Sequence, residues 1–440
     1  MNILFVSLGC DKNLADSEAM LGMLASRGYQ MVELEEEADI IIVNTCCFIH
    51  DAKEESIETI LQMAEYKHSG NLKALIVTGC MAERYKDEVM KEIPEVDAVL
   101  GTASYDHILD AVEEALKGHH YMKMESLDEL PVVDAHRLVT TGGHYAYLKI
   151  AEGCDKHCTY CIIPKIRGNF RSVPMERLLK EARQLADDGV KELILVAQET
   201  TLYGKDIYGE KKLPELLHKL CEISGIRWIR ILYCYPEEIT EELIQTIKEE
   251  PKICHYLDLP IQHASNDILK RMGRKTSREE LIHIISRLRE EIPDITLRTT
   301  LITGFPGETQ EQHEELMDFV DEMEFDRLGV FTYSPEEDTP AASMPDQIKE
   351  EVKEERQAEI MELQQEIAFD QAEDMIGKEV LVMIEGKVAD ENAYVGRTYK
   401  DAPNVDGLIF VNTDAELMSG DFAKVKVTGA CEYDLIGELM

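Results

Sequence analysis

Hydrophobic runs alternate with amphipathic segments over residues 1–118. Short apolar runs predict strands, and apolar positions at helical spacing predict helices over residues 15–27 and around 52–66. Strands that alternate with helices form parallel sheets covered on both faces. The pattern therefore predicts an N-terminal doubly wound α/β domain whose strands are residues 3–7, 39–45, 74–78 and 97–100.

Residues 119–143 lack periodicity and are predicted to be a connector. Strand and helix patterns alternate again over residues 144–345, where helical patterns lie between six predicted strands. Six βα units in this length are typical of a partial (βα)6 barrel. The predicted strands are residues 147–151, 192–197, 228–233, 255–259, 296–302 and 327–332.

The C-terminal quarter contains two segments whose sequence patterns differ from the βα pattern before them. Residues 346–373 are rich in Glu and Gln and predict an acidic helical linker that is mostly solvated. Residues 374–440 show short period-two runs separated by turn residues, which are typical of strands. They predict a small antiparallel β-barrel and complete an α/β fold of three domains.

The charge is strongly negative, with 87 acidic and 46 basic residues and a net charge of −41. Such a chain repels phosphate, which argues against strong nucleic-acid binding of its own and against anionic membranes. A basic macromolecule is the matching partner, although acidity that serves only solubility is the alternative. Since no transmembrane run or signal peptide is apparent, we expect a cytoplasmic protein whose eleven cysteines are not disulfides.

Three cysteines lie close together after the first predicted strand of the central region. Cys154, Cys158 and Cys161 form a Cys-x3-Cys-x2-Cys run. A loop of this length can place three thiolates on one face of a [4Fe–4S] cluster and leave the fourth iron open. The alternative is a structural zinc site that takes His157 as its fourth ligand.

Three further cysteines are far apart in sequence but share a position in the pattern. Cys10, Cys46 and Cys80 each follow a predicted strand of the N-terminal sheet. Because the carboxyl ends of parallel strands meet at one edge, the three thiols should converge, with Gly9 and Gly79 permitting the tight turns. We predict a second three-cysteine iron–sulfur site; unrelated strand-end cysteines are the alternative. Cys47 and the remaining cysteines are predicted to have no ligand role.

The 154–161 run resembles the cluster loop of radical S-adenosylmethionine (SAM) enzymes, in which an aromatic residue, here Tyr160, precedes the last cysteine. The resemblance implies that SAM binds the open iron and is cleaved to methionine and a 5′-deoxyadenosyl radical. It also implies that Tyr160 lies near the adenine and that an electron donor is required.

The whole chain resembles the methylthiotransferases, in motifs that include residues 8–18 (LGCDKNLADSE), 258–265 (DLPIQHAS) and 298–308 (RTTLITGFPGE). Its C-terminal segment resembles a TRAM domain. One branch of this family modifies an adenosine in tRNA, and the other modifies an aspartate of ribosomal protein twelve of the small subunit. The protein-modifying branch is favoured by residues 12–18, 161–168 and 396–407, although Asp11 stands where that branch is expected to have Pro.

The C-terminal module supports the protein-modifying branch by its charge. Residues 374–440 contain 13 acidic and six basic residues, a net charge of −7. A barrel that grips RNA is expected to be basic, whereas an acidic one favours encounter with a basic ribosomal protein, free or within the small subunit. An acidic surface that is merely solvated is the alternative.

The methylthiotransferase resemblance implies two [4Fe–4S] clusters, about eight irons per chain, and two uses of SAM. One SAM methylates sulfur at the Cys10/Cys46/Cys80 site. The other yields the radical that removes hydrogen from the aspartate β-carbon. Polar residues beside barrel strands are candidates for the SAM pocket, with packing roles as the alternative: Gln198, Gln262, Arg298 and Glu308. Rival functions are tRNA methylthiolation and a non-enzymatic zinc scaffold.

Overall fold

The computed structural model describes residues 1–133, 135–389 and 391–440. The chain forms two compact units. The first comprises Met1–Thr140, Lys149–Val173 and Ser334–Ala342, and the second comprises Thr141–Leu148, Pro174–Tyr333 and Ser343–Met440. All six cysteines of the two predicted sites belong to the first unit. The domain limits given above stay predictions.

The N-terminal sheet has six parallel strands in the order β2-β1-β3-β4-β5-β6. The four predicted strands are confirmed. Two short strands were not predicted, and one of them, β6, lies in the region expected to be a connector. The strands are β1 (Asn2–Ser7), β2 (Gln30–Met31), β3 (Ile40–Thr45), β4 (Ala74–Gly79), β5 (Ala98–Leu100) and β6 (Tyr121–Lys123).

Helices cover both faces of this sheet, as predicted. Alternate residues of a strand point to opposite faces. Ile40 and Ile42 accordingly pack in one apolar cluster with α1 and α6, while Ile41 and Val43 pack in another with α2, α4 and α5. The helices are α1 (Asp11–Ser26), α2 (His50–Ala64), α3 (Tyr66–Ser69), α4 (Cys80–Tyr85), α5 (Asp87–Glu92) and α6 (Ile108–Leu116).

The strand predicted at 147–151 is interrupted at Ile150. It consists of β7 (Tyr145–Lys149) and β8 (Ala151–Glu152), and the chain then passes through α7 (Ile163–Ile166) to β9 (Arg171–Ser172). Strands β8 and β9 pair in antiparallel fashion. The segment from Cys154 to Cys161 therefore lies in a loop that the pairing of β8 with β9 closes.

The second unit contains the predicted partial barrel, in which β7 forms one edge of a six-stranded sheet. The strands after β7 follow in chain order and pair in parallel. They are β10 (Glu192–Val196), β11 (Trp228–Ile231), β12 (Ile253–Asp258), β13 (Thr296–Thr303) and β14 (Arg327–Thr332). Its helices are α8 (Met175–Asp187), α9 (Lys205–Tyr208), α10 (Leu213–Cys221), α11 (Glu241–Glu249), α12 (Asn266–Arg271), α13 (Arg278–Glu291) and α14 (Gln310–Met323).

The acidic helix α15 (Glu350–Glu373) packs along one face, while most of its other residues are exposed or half-buried. It lies against β14 and α14, and one side chain in each turn is buried. Several of these buried residues are polar, including Lys353, Arg356 and Gln364, so hydrophobic periodicity does not reveal the face. No described helix is apolar over a length sufficient to cross a membrane.

The C-terminal module is a closed five-stranded barrel with an aliphatic interior. One strand, β19, was not predicted. It pairs in parallel with β17, while the other four pairings are antiparallel as expected. The strands are β15 (Glu379–Lys387), β16 (Ala393–Arg397), β17 (Ile409–Asn412), β18 (Phe422–Cys431) and β19 (Asp434–Leu439).

Candidate iron–sulfur sites

Three adjacent strands present the dispersed cysteines at one sheet edge. Cys10 lies just beyond β1 and precedes α1, Cys46 directly follows β3, and Cys80 directly follows β4 and begins α4. Because β1, β3 and β4 are neighbours, their carboxyl ends lie side by side. This is also where the strand order reverses, the usual ligand-binding position of an open α/β sheet.

Two glycines allow the backbone to approach closely at this edge, as predicted. Gly9 has φ +86°, and a Cβ added there would lie 2.7 Å from Cys46 Cβ. Gly79 has φ +92°, and its added Cβ would lie 2.3 Å from Asn44 Oδ1. The turn before Cys10 therefore touches Cys46, and any larger residue at either position would separate the strands.

The three thiols differ in exposure. Cys46 and Cys80 are buried and Cys10 is exposed, and none of the three forms a disulfide. Burial, with smaller contributions from the neighbouring thiols, raises the pKa of Cys46 and Cys80. Burial therefore favours the thiol over the thiolate at Cys46 and Cys80, and the exposed side at Cys10 leaves an approach for a further ligand.

Hydrogen bonds fix the backbone around the thiols. The Asn13 side-chain amide donates to the carbonyls of Leu8 and Thr45, at 3.0 and 2.9 Å, and so ties the β1 and β3 ends together. Ser56 accepts a hydrogen bond from the Cys46 amide at 3.0 Å and donates to the Cys46 carbonyl at 2.8 Å. Both side chains are buried. These hydrogen bonds fix the backbone around Cys10 and Cys46 without a cofactor.

Asp11 is the first residue of α1, and its carboxylate pairs with Lys12 at 2.9 Å. The first helical position tolerates Pro and also favours an acidic residue near the positive helix end. The expected Pro and the observed Asp therefore suit the same turn beside Cys10.

The clustered cysteines lie in a loop closed at its base. The Cys154 amide donates to the Gly168 carbonyl at 3.1 Å, and the Cys161 amide donates to the Cys158 carbonyl at 3.0 Å. A Cβ at Gly153 would lie 2.1 Å from the Asn169 carbonyl oxygen, so the two ends of the loop are in contact. Cys154 and Cys158 are buried, while Cys161 and Tyr160 are half-buried.

Both cysteine sets have the donor chemistry of an iron–sulfur site. Three thiols on backbone that is held by hydrogen bonds are the donor set that a [4Fe–4S] cluster takes when one iron is left open.

A buried charged network beside the N-terminal thiols was not predicted. Arg167, 2% exposed, pairs with Asp16 at 2.9 Å and with Glu152 at 3.1 Å, and Lys149 pairs with the same two carboxylates. Although burial opposes the charged form, Arg167 and Lys149 lower the pKa of Glu152 to about 2. Arg167 belongs to the 161–168 motif, but no feature of the sequence indicates that it pairs with Asp16.

The predicted SAM-pocket glutamines follow strands of the partial barrel. Gln198 lies two residues beyond β10 and is half-buried. Gln262 lies beyond β12 with φ +74°. Its main-chain N–H donates to the Thr300 carbonyl, and its main-chain carbonyl accepts from the Ile302 N–H. That backbone pairing with β13 fixes the unusual conformation of Gln262. SAM contacts of both side chains stay predictions.

The other two SAM-pocket candidates are engaged in ion pairs. Arg298 pairs with Asp258 at 3.0 Å and with Asp406 at 3.5 Å. The buried Glu308 pairs with Arg356 at 3.1 Å and accepts from the Phe305 amide, so it links the turn after β13 to α15. Their roles in SAM binding also stay predictions, and both have a structural function besides.

Ion pairs also occupy basic residues of the C-terminal barrel. The buried Arg397 pairs with Glu192 at 2.8 Å and with Glu385 at 2.6 Å. Lys400 lies 3.5 Å from Asp326. Two of the six basic residues in 374–440 thus neutralise nearby carboxylates, which leaves fewer for an RNA backbone.

Family models match the chain in three places. Residues 2–101 match "Uncharacterized protein family UPF0004", residues 148–320 match the radical SAM superfamily, and residues 376–440 match the TRAM domain. A solved structure of the radical SAM methyltransferase TsrM from Kitasatospora setae shares the fold. Its TM-score is 0.56 at 13% identity, over 77% of this chain and 76% of that one. The fold and the cluster loop therefore define a radical SAM enzyme.

Two curated relatives narrow this class. The "Ribosomal protein uS12 methylthiotransferase RimO" of Lachnoclostridium phytofermentans is 66% identical over 99% of both chains. The protein of the same name from Clostridioides difficile is 50% identical over 100% of this chain and 99% of its own. The chain belongs to the RimO family of ribosomal protein uS12 methylthiotransferases.

Proposed function

We propose that this protein transfers a methylthio group to the β-carbon of an aspartate in ribosomal protein uS12 by radical SAM chemistry. The observation that carries this proposal is the 66% identity, over 99% of both chains, with a relative named for that activity. The expectation from the sequence motifs is the same, and the tRNA alternative is not favoured.

The six cysteines of the first unit are the proposed cluster ligands. When bound, a [4Fe–4S] cluster at Cys154, Cys158 and Cys161 supplies the electron that cleaves SAM, and a second one at Cys10, Cys46 and Cys80 is the site of sulfur methylation. The chain contributes prearranged thiols and a dry environment. Burial of Cys46 and Cys80 excludes water from two ligands, and exposed Cys10 marks the approach.

The SAM pocket is a further proposal. Tyr160 would lie near the adenine, beside the cysteine loop. Gln198 and Gln262 would donate to or accept from SAM hydroxyl and carboxylate groups. Arg298 and Glu308 would add further polar contacts to SAM, and their ion pairs with Asp258 and Arg356 hold the backbone around them.

The partner is proposed to dock by charge. The acidic C-terminal module complements basic uS12, whether the substrate is free or in the small subunit. Burial of Arg397 in ion pairs supports this preference over RNA, because its charge is compensated by Glu192 and Glu385. An external donor must supply electrons, and we propose a cytoplasmic location.

An anaerobic assay with reconstituted enzyme, SAM, sulfide and a reductant tests the proposal. Purified uS12, assembled small subunits and tRNA are supplied separately, and intact mass and nucleoside analysis report the product. We expect one methylthio group on an aspartate of uS12, and none on a uS12 variant with that aspartate changed to Asn. Modified adenosine with unmodified uS12 would overturn the assignment.

A further inference from the structure

Arg167 follows the Cys154–Cys161 loop in sequence and contacts the edge of the N-terminal sheet. It follows Cys161 by six residues, yet its side chain reaches the edge that carries the other three thiols. Its guanidinium donates to Asn13 Oδ1, and the Cys80 thiol lies 3.8 Å from the same oxygen. One acceptor atom therefore joins a residue of the cluster loop to a proposed ligand of the N-terminal site.

The positive charge of Arg167 is permanent and is isolated from water. The side chain is 2% exposed. Despite burial, which opposes the charge, Cys80, Glu152 and Asp16 raise its pKa, and Cys10 adds to this effect. Arg167 in turn opposes the burial-induced rise in the pKa of both Cys46 and Cys80. All three N-terminal thiols thus interact electrostatically with this guanidinium.

The four ion-paired side chains of this network balance one another without the cysteines. Arg167 and Lys149 are opposed by Asp16 and Glu152, all of them within one network. Three thiolates add negative charge that this network does not compensate. Arg167 donates to Asn13 Oδ1, which lies 3.8 Å from the Cys80 thiol, whereas Lys149 pairs with Asp16 and Glu152.

We propose that Arg167 is a positioning residue that stabilises the reduced form of the cluster held by Cys10, Cys46 and Cys80. Net charge and nearby hydrogen bonds set the reduction potential of iron–sulfur clusters. A buried cation beside the ligands favours the state that carries one more electron. Because the same residue continues the Cys154–Cys161 loop, the fold of one cysteine site sets the charge at the other. The inference rests on the proposed function, since it requires a cluster at the N-terminal site.

The test uses the full chain with Cys154, Cys158 and Cys161 all changed to Ala, so that only the N-terminal cluster remains. Iron analysis and an EPR-monitored redox titration are applied to this parent and to Arg167→Met, Arg167→Lys and Lys149→Met in the same background. We expect the ratio of reduced to oxidised cluster at a fixed potential to fall about tenfold in Arg167→Met, which is about 59 mV for one electron. Arg167→Lys should recover most of this loss.

Lys149→Met is the matched control, because Lys149 pairs with the same two carboxylates, while the hydrogen bond to Asn13 Oδ1 beside Cys80 is made by Arg167. It should change the ratio less than about twofold. Equal shifts in Arg167→Met and Lys149→Met, or no shift in either, would overturn the inference. Should Arg167→Met lose its iron, Arg167→Gln, which keeps a donor for Asn13 but removes the charge, replaces it in the comparison. A shift in Arg167→Gln no larger than that in Lys149→Met would overturn the inference. A parent without iron would instead refute the N-terminal cluster, and with it the proposed function.

Discussion

The two cysteine sets of this protein are assembled in opposite ways. Cys154, Cys158 and Cys161 are local: one loop closed by the β8–β9 hairpin carries them all. Cys10, Cys46 and Cys80 are assembled by the sheet, since each thiol depends on the position of a different strand. The local site depends on a short segment, whereas the dispersed site depends on the fold of the whole N-terminal region.

This difference explains where the supporting polar residues lie. The dispersed site is surrounded by buried side chains that fix strand ends, among them Asn13, Ser56 and Arg167. The loop site is closed by backbone hydrogen bonds, by the positive φ of Gly153 and by the Asp155 carboxylate, which accepts from the Phe170 amide at 2.9 Å. Changes to strand-end geometry should therefore damage the dispersed site selectively.

The largest expected effect comes from removing a loop ligand. Cys154→Ala should reduce SAM cleavage and methylthio transfer to background, because the first reaction supplies the radical for the second. About four of about eight irons should remain, since the dispersed site has its own ligands. Cleavage is measured as 5′-deoxyadenosine. Cys221→Ala, in helix α10, is the control, and normal cleavage by Cys154→Ala would contradict the assignment.

Removing a dispersed ligand should separate the two reactions. Cys10→Ala should keep SAM cleavage within about twofold of the parent and lose the methylthio product, because only the sulfur site is damaged. Both products are quantified in one assay. Cys47→Ala changes a buried neighbour of Cys46 without a predicted ligand role and should retain both reactions. An unchanged methylthio yield in Cys10→Ala would refute the second cluster.

A glycine substitution tests the dependence on strand geometry. Gly79 has φ +92° and ψ −157°, a region almost confined to glycine, and a Cβ there would meet Asn44 Oδ1. Gly79→Ala should cost about 3 kcal/mol in the free energy of unfolding and lower the iron content to about four. Gly28→Ala also has positive φ but meets nothing within 4 Å, so it should cost about 1 kcal/mol. Equal costs, measured by denaturant unfolding, would contradict the close-approach argument.

The smallest effect is expected at a hydrogen bond behind one ligand. Ser56→Ala removes both hydrogen bonds to the Cys46 backbone and should cost about 1–2 kcal/mol. Iron should be lost faster from the dispersed site to a chelator, while SAM cleavage at the loop site persists. Ser69→Ala, at an exposed serine, is the control and should match the parent. Simultaneous loss of iron from both sites would argue against their independence.

The N-terminal parallel sheet, the partial barrel and the C-terminal β-barrel follow from the sequence pattern. So does the placement of Cys10, Cys46 and Cys80 at one sheet edge, because strand ends of a parallel sheet are predictable neighbours. The start of α1 does not follow from the sequence pattern. Its first turns bury polar residues such as Asn13, Asp16 and Glu18, so apolar periodicity begins only at Ala15. The helix was consequently predicted four residues short, beside a proposed ligand.

Ion pairs between residues far apart in the chain could not be predicted from the sequence either. Arg167 and Asp16 are 151 residues apart in sequence. Neither lies at a position where the hydrophobic pattern predicts a buried residue. Strands β6 and β19 were missed for a different reason. The former has three residues, and the latter pairs in parallel with β17, which a hairpin model of the barrel does not anticipate.

Iron and acid-labile sulfide analysis of the anaerobically reconstituted chain tests the central claim most directly. Two cysteine sets that each hold a [4Fe–4S] cluster predict about eight irons and about eight sulfides per chain, with about four of each after either Cys154→Ala or Cys10→Ala. About four irons in the unmodified chain, or zinc without sulfide, would contradict it.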